Sequence, residues 1–222
     1  VSGFFCRYDV DNEADGNRPW SWRMSRAQSG TGSNGDVLSH VISVAHFLTN
    51  SSISRVVGDY TIVHKERADS QAAGQTKIVD NDDMVAALIH FENGVKGHIG
   101  ASRVTWGRKC GLRWELHGTE GTIMYDQERL NELKLFTRQD NPATDGFRTI
   151  LTGPLHEPYA AFLPNGGHSL GYMDVKICEL HDLLSAIEAK SPVWPSFSDG
   201  LKIERVMDAV DRSAQTNKWV DV

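Results

Sequence analysis

Apolar and polar residues alternate along short stretches in the first two thirds of the chain and recur at helical spacing in the last third. Gly3 to Val10 alternates and reads as a strand. A polar, turn-rich link from Asp11 to Pro19 follows, then Trp20-Ser21-Trp22-Arg23 and a glycine-rich run from Gly30 to Gly35. From Asp36 to Leu48, Val37, Val41, Val44, Ala45 and Leu48 recur at i, i+3, i+4 spacing, which predicts one helix with a buried face. Asp36, His40, Ser43 and Phe47 form a different stripe on it.

Strands are predicted within Arg55 to His64, over Met84 to Phe91 and Val95 to Trp106, and again over Leu112 to His117, Thr122 to Tyr125 and Glu132 to Thr137. The second and third are joined through Glu92-Asn93-Gly94, a hairpin signal because Asn and Gly both tolerate positive φ. The series reads as an antiparallel meander. An irregular stretch from Asp140 to Tyr172 precedes two helices. The first runs from Asp174 to Lys190; the second begins near Ser198 or Asp199, where Ser196-Phe197-Ser198-Asp199 offers a capping box. Lys218 to Val222 returns as an edge strand. Strands followed by helices predict an α+β fold, an open, mostly antiparallel sheet with helices on one face, as a single unit over 1–222.

Composition narrows the function. The chain has 222 residues, 40% of them hydrophobic, which is enough to bury a core. A net charge of -6, with Lys and Arg scattered, argues against nucleic acid or an anionic membrane as partner. Cys6, Cys110 and Cys178 lack CxxC pairing and suggest a reducing cytosol, hence a cytoplasmic location. No run approaches the roughly 20 apolar residues of a membrane span. Val1 in place of Met, with a strand directly after it, predicts a chain that begins mid-protein.

Gly30-Thr31-Gly32-Ser33-Asn34-Gly35 matches GxGxxG and has Asp59 downstream, yet Met24 to Ser29 is not the buried strand that a dinucleotide site requires. It reads as a glycine-rich start to a helix, with a self-contained dinucleotide binder as the competing reading. Asp36 and His40 stand four apart on the predicted helix, where a carboxylate beside an imidazole makes a general base for an alcohol. The alternative is a solvated face, or a capping Asp36 beside a satisfied His40. Neither HExxH nor another metal spacing is present, so no metal site is expected. His168 and Tyr172 lie in a glycine-flanked loop that suits either ligand approach or a helix start capped by Asp174. Trp22 and Arg23 could line a sugar site by stacking and a charged hydrogen bond, or be a core Trp and a surface Arg.

Trp22-Arg23, then Gly32-Ser33-Asn34-Gly35-Asp36-Val37-Leu38-Ser39-His40, resembles the Trp-Arg, glycine-rich stretch and Gly-Asp-x-Gly-x-His helix start of the Gfo/Idh/MocA oxidoreductases, the family of glucose-fructose oxidoreductase and inositol dehydrogenase. Phe91-Glu92-Asn93-Gly94, Gly118-Thr119-Glu120-Gly121, and Pro195 to Gly200 with Arg205, Asp208 and Ala209 resemble further family segments in the same order. The likeness covers nearly the whole chain and implies its C-terminal half, a dihydrodipicolinate-reductase-like domain. The N-terminal Rossmann domain, which binds NAD or NADP and carries a Glu-Lys-Pro lysine, is absent; Lys190-Ser191-Pro192 is no substitute.

The resemblance implies catalytic Asp36 and His40, with His40 taking a hydroxyl proton as hydride leaves for nicotinamide. It implies substrate contacts from Trp22, Arg23, Ser43, His168 and Tyr172, no tightly bound cofactor on this chain alone, a sugar or inositol-like polyol substrate, and a homo-oligomer formed through the sheet face. Leu38 stands for the family's second Gly, and Ser43 for an Asp, which implies a lost contact to a substrate hydroxyl. The rival function is a non-catalytic carbohydrate-binding or dimerisation module.

Overall fold

The structure, a computed structural model, describes residues 1–138 and 142–222. Strand β1 (Gly3–Asp9) buries Phe4 and Cys6 while leaving Phe5 and Arg7 partly open, the two-residue period of a strand covered on one face. Two single turns, α1 (Arg26–Ser29) and α2 (Ser33–Asp36), lead into α3 (Leu38–Thr49). The single helix predicted from Asp36 to Leu48 is therefore broken at Val37, which closes α2 and opens α3 at φ -107° and ψ -41°. Periodicity could not reveal α2, because Ser33-Asn34-Gly35 contains no apolar residue.

Strands β2 (Ile53–Thr61), β3 (Glu66–Ala68), β4 (Thr76–Ile78), β5 (Met84–Phe91), β6 (Lys96–Ser102), β7 (Gly111–His117), β8 (Gly121–Asp126), β9 (Glu132–Thr137) and β10 (Arg148–Leu151) follow, then α4 (Tyr172–Ala189), α5 (Phe197–Thr216) and β11 (Val220–Asp221). Nine strands form one sheet in the order β10-β9-β8-β7-β1-β6-β5-β2-β11, with β3 and β4 as a separate ribbon. Every neighbouring pair is antiparallel except β1 and β6. The predicted meander is thus interrupted: β1 inserts between β6 and β7, setting Cys6 opposite both Ile99 and Trp114. Strand β10 falls in the stretch predicted to be irregular, whose first two residues, Asp140 and Asn141, lie outside the described residues. The hairpin turn has Gly94 at φ +86°, and the capping box of Ser196 and Asp199 forms at the start of α5.

Helices α3 and α5 cover one face. Leu38, Val41, Ile42 and Ala45 of α3, with Val206, Ala209 and Val210 of α5, pack on Phe4, Cys6, Val56, Val85, Ile89 and Ile99. Burying each Leu, Ile, Val or Phe side chain here contributes about 1.5–3 kcal/mol. Leu38, fully buried, belongs to this core. The opposite face carries Phe5, Arg7, Leu88 and His98 around an open cleft of about 580 Å³. Helix α4 has no buried residue; its Val175, Ile177, Leu180, Leu183, Leu184 and Ile187 are all exposed. Among the described residues no helix is long and apolar enough to cross a membrane.

Candidate functional site

The site begins with three consecutive buried polar residues, Asn81, Asp82 and Asp83, just before β5. The Asp82 carboxylate accepts the main-chain N–H groups of Gly32 and Asn34, each at 2.7 Å, and its carbonyl accepts that of Ser33 at 2.9 Å. A Cβ on Gly32 would lie 1.9 Å from the Asp82 carbonyl oxygen, and one on Gly35 2.7 Å from Thr31 Oγ1. Gly30 has φ +77°. Close packing and backbone conformation therefore account for all three glycines of the GxGxxG match. The amides that would cradle a pyrophosphate already hold a carboxylate, so the turn does not fit a dinucleotide. Burial raises the Asp82 carboxyl above its ordinary value, against the lowering effect of the Gly32 and Asn34 amides and of Arg103.

Asn81 fixes the neighbouring segment. Its Nδ2 donates to the Arg23 carbonyl at 2.6 Å and to Ser29 Oγ at 2.8 Å, while Arg103 donates to Asn81 Oδ1 and to Asp83 Oδ1, each at 2.9 Å. With its main chain held, Arg23 directs a guanidinium nitrogen to within 3.1 Å of Asp36 Oδ2, both side chains being about half exposed. The same guanidinium lies 5.4 Å from the ring centre of Trp22, itself exposed. The structure thus gathers Trp22, Arg23 and Asp36 at the start of α3.

His40 projects from the first turn of α3, exposed, and makes no hydrogen bond among the described residues. Among the described residues Asp36 and His40 share no hydrogen bond; Val37 breaks the helix between them, and Arg23 engages the carboxylate. The ring packed against His40 is Tyr8, with centroids 5.6 Å apart and planes at 75°. Sequence reasoning assigned Tyr8 no role, although its place after Phe4 and Cys6 in the alternation sets it on the helix-bearing face at the far end of β1. The phenol lies 2.9 Å from Cys110 Sγ. Burial, then the Cys110 hydrogen bond and the nearby Asp36 charge, push the phenol well above the usual tyrosine range.

The other expected residues lie elsewhere. Ser43, one turn beyond His40, lines a polar cavity of about 500 Å³ with His46, Trp194, Asp199 and Lys202. His168 is exposed and pairs with the Asn165 carbonyl at 3.2 Å. Tyr172 opens α4 with Lys176 over its ring at 5.7 Å, and Leu170 between them is tied to Asn131 on the β9 side. Leu170 thus ties this segment to the start of β9, and neither His168 nor Tyr172 bonds to Asp36, His40 or Arg23 among the described residues. No group of three His, Cys, Asp or Glu side chains suited to a metal ion occurs among the described residues.

Comparison with known proteins agrees with this architecture. The sequence profile of the GFO/IDH/MocA C-terminal domain matches residues 1–124. A levoglucosan dehydrogenase of Pseudarthrobacter phenanthrenivorans is 37% identical over the whole chain, which spans 60% of that relative's length. The structure of a levoglucosan dehydrogenase in complex with NADH and L-sorbose superposes with a TM-score of 0.93 at 37% identity, covering 100% of this chain and 58% of that one. An NAD binding oxidoreductase from Klebsiella pneumoniae gives 0.93 at 38% identity, covering 100% and 59%. With the profile over more than half its length and a relative aligned end to end, the chain belongs to the GFO/IDH/MocA family, as its C-terminal domain.

Proposed function

We propose that residues 1–222 form the substrate-binding and catalytic half of a two-domain oxidoreductase that oxidises a sugar or polyol hydroxyl with NAD or NADP. One observation carries the reading: Trp22, Arg23 and Asp36 gather at the start of α3, whose first turn carries His40, in a chain 37% identical to a levoglucosan dehydrogenase. His40, exposed and free of hydrogen bonds among the described residues, is the base that takes the hydroxyl proton. Asp36 and Arg23, a half-exposed ion pair, supply an acceptor and a donor for sugar hydroxyls, and Trp22 a flat apolar surface for a ring.

The nicotinamide supplies hydride acceptance and is assigned to the part of the relative beyond the 60% that the chain matches. The exposed apolar residues of α4 support a second domain lying over that helix. The open sheet face around Phe5 and Leu88 supports association between copies.

The test is nicotinamide reduction by the full-length protein containing this chain, offered levoglucosan, L-sorbose and myo-inositol. Turnover with at least one is expected, and His40→Ala should lower kcat by about 10²- to 10⁴-fold. Unchanged turnover in that variant would remove His40 from the chemistry. Sugar binding without any nicotinamide reduction would instead identify a carbohydrate-binding module.

A further inference from the structure

We propose that Tyr8 is the positioning residue of His40, and that Cys110 is the anchor that holds Tyr8 in place. An imidazole acting on a substrate proton must be held to within about 0.5 Å and 10–20° of its working geometry. In this structure neither Asp36, taken by Arg23, nor any other hydrogen-bonding group among the described residues orients His40. What lies against the imidazole is the edge-on ring of Tyr8, 5.6 Å away between centroids.

Tyr8 is itself held at both ends. Its main chain lies inside the sheet, in register with Ala101 of β6 and Leu112 of β7. Its hydroxyl meets Cys110 Sγ at 2.9 Å, and Gln127 Nε2 donates to the same sulfur at 3.0 Å. A phenol fixed by a sheet at one end and by a thiol at the other forms a wall that His40 cannot pass without displacing it. Cys110 and Gln127 thereby act on His40 without touching it. The phenol, pushed up by burial and by the Cys110 bond, stays protonated and neutral beside the imidazole.

The geometric part of this inference stands alone, while its effect on turnover rests on His40 being the base. The experiment keeps the two apart. Imidazole ring signals of the full chain are followed by NMR, with His40 assigned by His40→Gln, in the wild type, Tyr8→Phe, Tyr8→Leu, Cys110→Ala and Cys110→Ser. Tyr8→Leu and Cys110→Ala should each move the His40 ring signals while those of the remaining histidines stay put. Tyr8→Phe, which removes the hydroxyl bonded to Cys110, should move the His40 signals as Cys110→Ala does, while Cys110→Ser, which keeps a hydrogen-bonding group, should recover most of the effect. His40 ring signals unchanged in both Tyr8→Phe and Cys110→Ala would overturn the anchor, and signals unchanged in Tyr8→Leu would overturn the wall. Should Tyr8→Leu not fold, the Cys110→Ala and Tyr8→Phe pair still decides the question.

In the full-length enzyme, Tyr8→Leu should lower kcat by about 10- to 100-fold with little change in KM, as expected for a displaced base. Loss of the NMR coupling removes this inference and leaves the proposed function intact. A coupling that persists while His40→Ala turns over normally removes His40 from the chemistry and leaves the positioning intact.

Discussion

Asp82 accepts the N–H of Gly32 at 2.7 Å across 50 residues of sequence, and a Cβ on that glycine would collide with the Asp82 carbonyl oxygen at 1.9 Å. The two residues are therefore specified together: the carboxylate needs the amide, and the amide can approach only without a side chain. Because this turn leads straight into α2, whose last residue is Asp36, the pair also sets where the site begins.

Replacing Asp82 by Ala leaves two buried amides, those of Gly32 and Asn34, without an acceptor. Each orphaned donor costs about 1–3 kcal/mol, so a loss of roughly 2–6 kcal/mol is expected in denaturant unfolding. Asp82→Asn keeps one acceptor oxygen and should lose about half as much. Gly32→Ala meets main chain and should be at least as damaging as Asp82→Ala. A stability for Asp82→Ala within about 0.5 kcal/mol of the wild type, the range of ordinary surface changes, would show that water replaces the carboxylate.

The same occupied amides predict how the chain behaves toward nicotinamide nucleotides. Titration of NADH and NADPH into the isolated chain, read by tryptophan fluorescence, should give no saturable binding in the micromolar range, whereas the full-length protein should saturate. Tight binding by the chain alone, weakened by substitution at Gly35, would make the glycine turn a phosphate site after all.

Much of the fold was readable where a local rule sufficed. Asn93-Gly94 marked the β5–β6 hairpin because few other residues tolerate its turn, and Ser196 with Asp199 marked α5 because a capping box is a four-residue signal. The alternation of Phe4, Cys6 and Tyr8 established β1 and its buried face but not its neighbours, since a two-residue period carries no information about which strands pair. Hence its insertion between β6 and β7, parallel to one of them, was out of reach. Trp22, Arg23, Asp36 and His40 stood out as chemistry-bearing residues within 19 positions of one another. Tyr8 and Asp82 did not, because one falls within a strand pattern and the other between two predicted strands, and only tertiary contact joins them to the rest.

Arg23 separates function from folding. Its side chain pairs with Asp36 in a half-exposed ion pair, while its carbonyl is held independently by Asn81. Exposed pairs contribute about 0.2–1 kcal/mol, so Arg23→Ala should unfold within about 1 kcal/mol of the wild type. If the pair binds sugar hydroxyls, the full-length variant should show a KM raised by about tenfold or more, the value of a charged hydrogen bond lost from the complex. An unchanged KM would move the sugar site away from this pair.

His46 gives a pH dependence with a definite sign. The main-chain N–H of Ile53 donates to its Nε2 at 3.2 Å, a bond that only the neutral ring can accept. Burial, and then the charge of Lys202, lower its pKa below the ordinary 6.5. The unfolded chain therefore takes up a proton at this site at a higher pH than the folded one. The stability conferred by the neutral imidazole is fully present above 6.5 and is lost as pH falls from there through the lowered folded value. In His46→Gln that contribution no longer titrates. The difference in unfolding free energy between wild type and variant should be flat above neutrality and should shift against the wild type below 6.5. Parallel stability curves down through that range would mean that His46 is as free to protonate in the folded chain as in the unfolded one, and that the Ile53 bond does not hold its ring neutral.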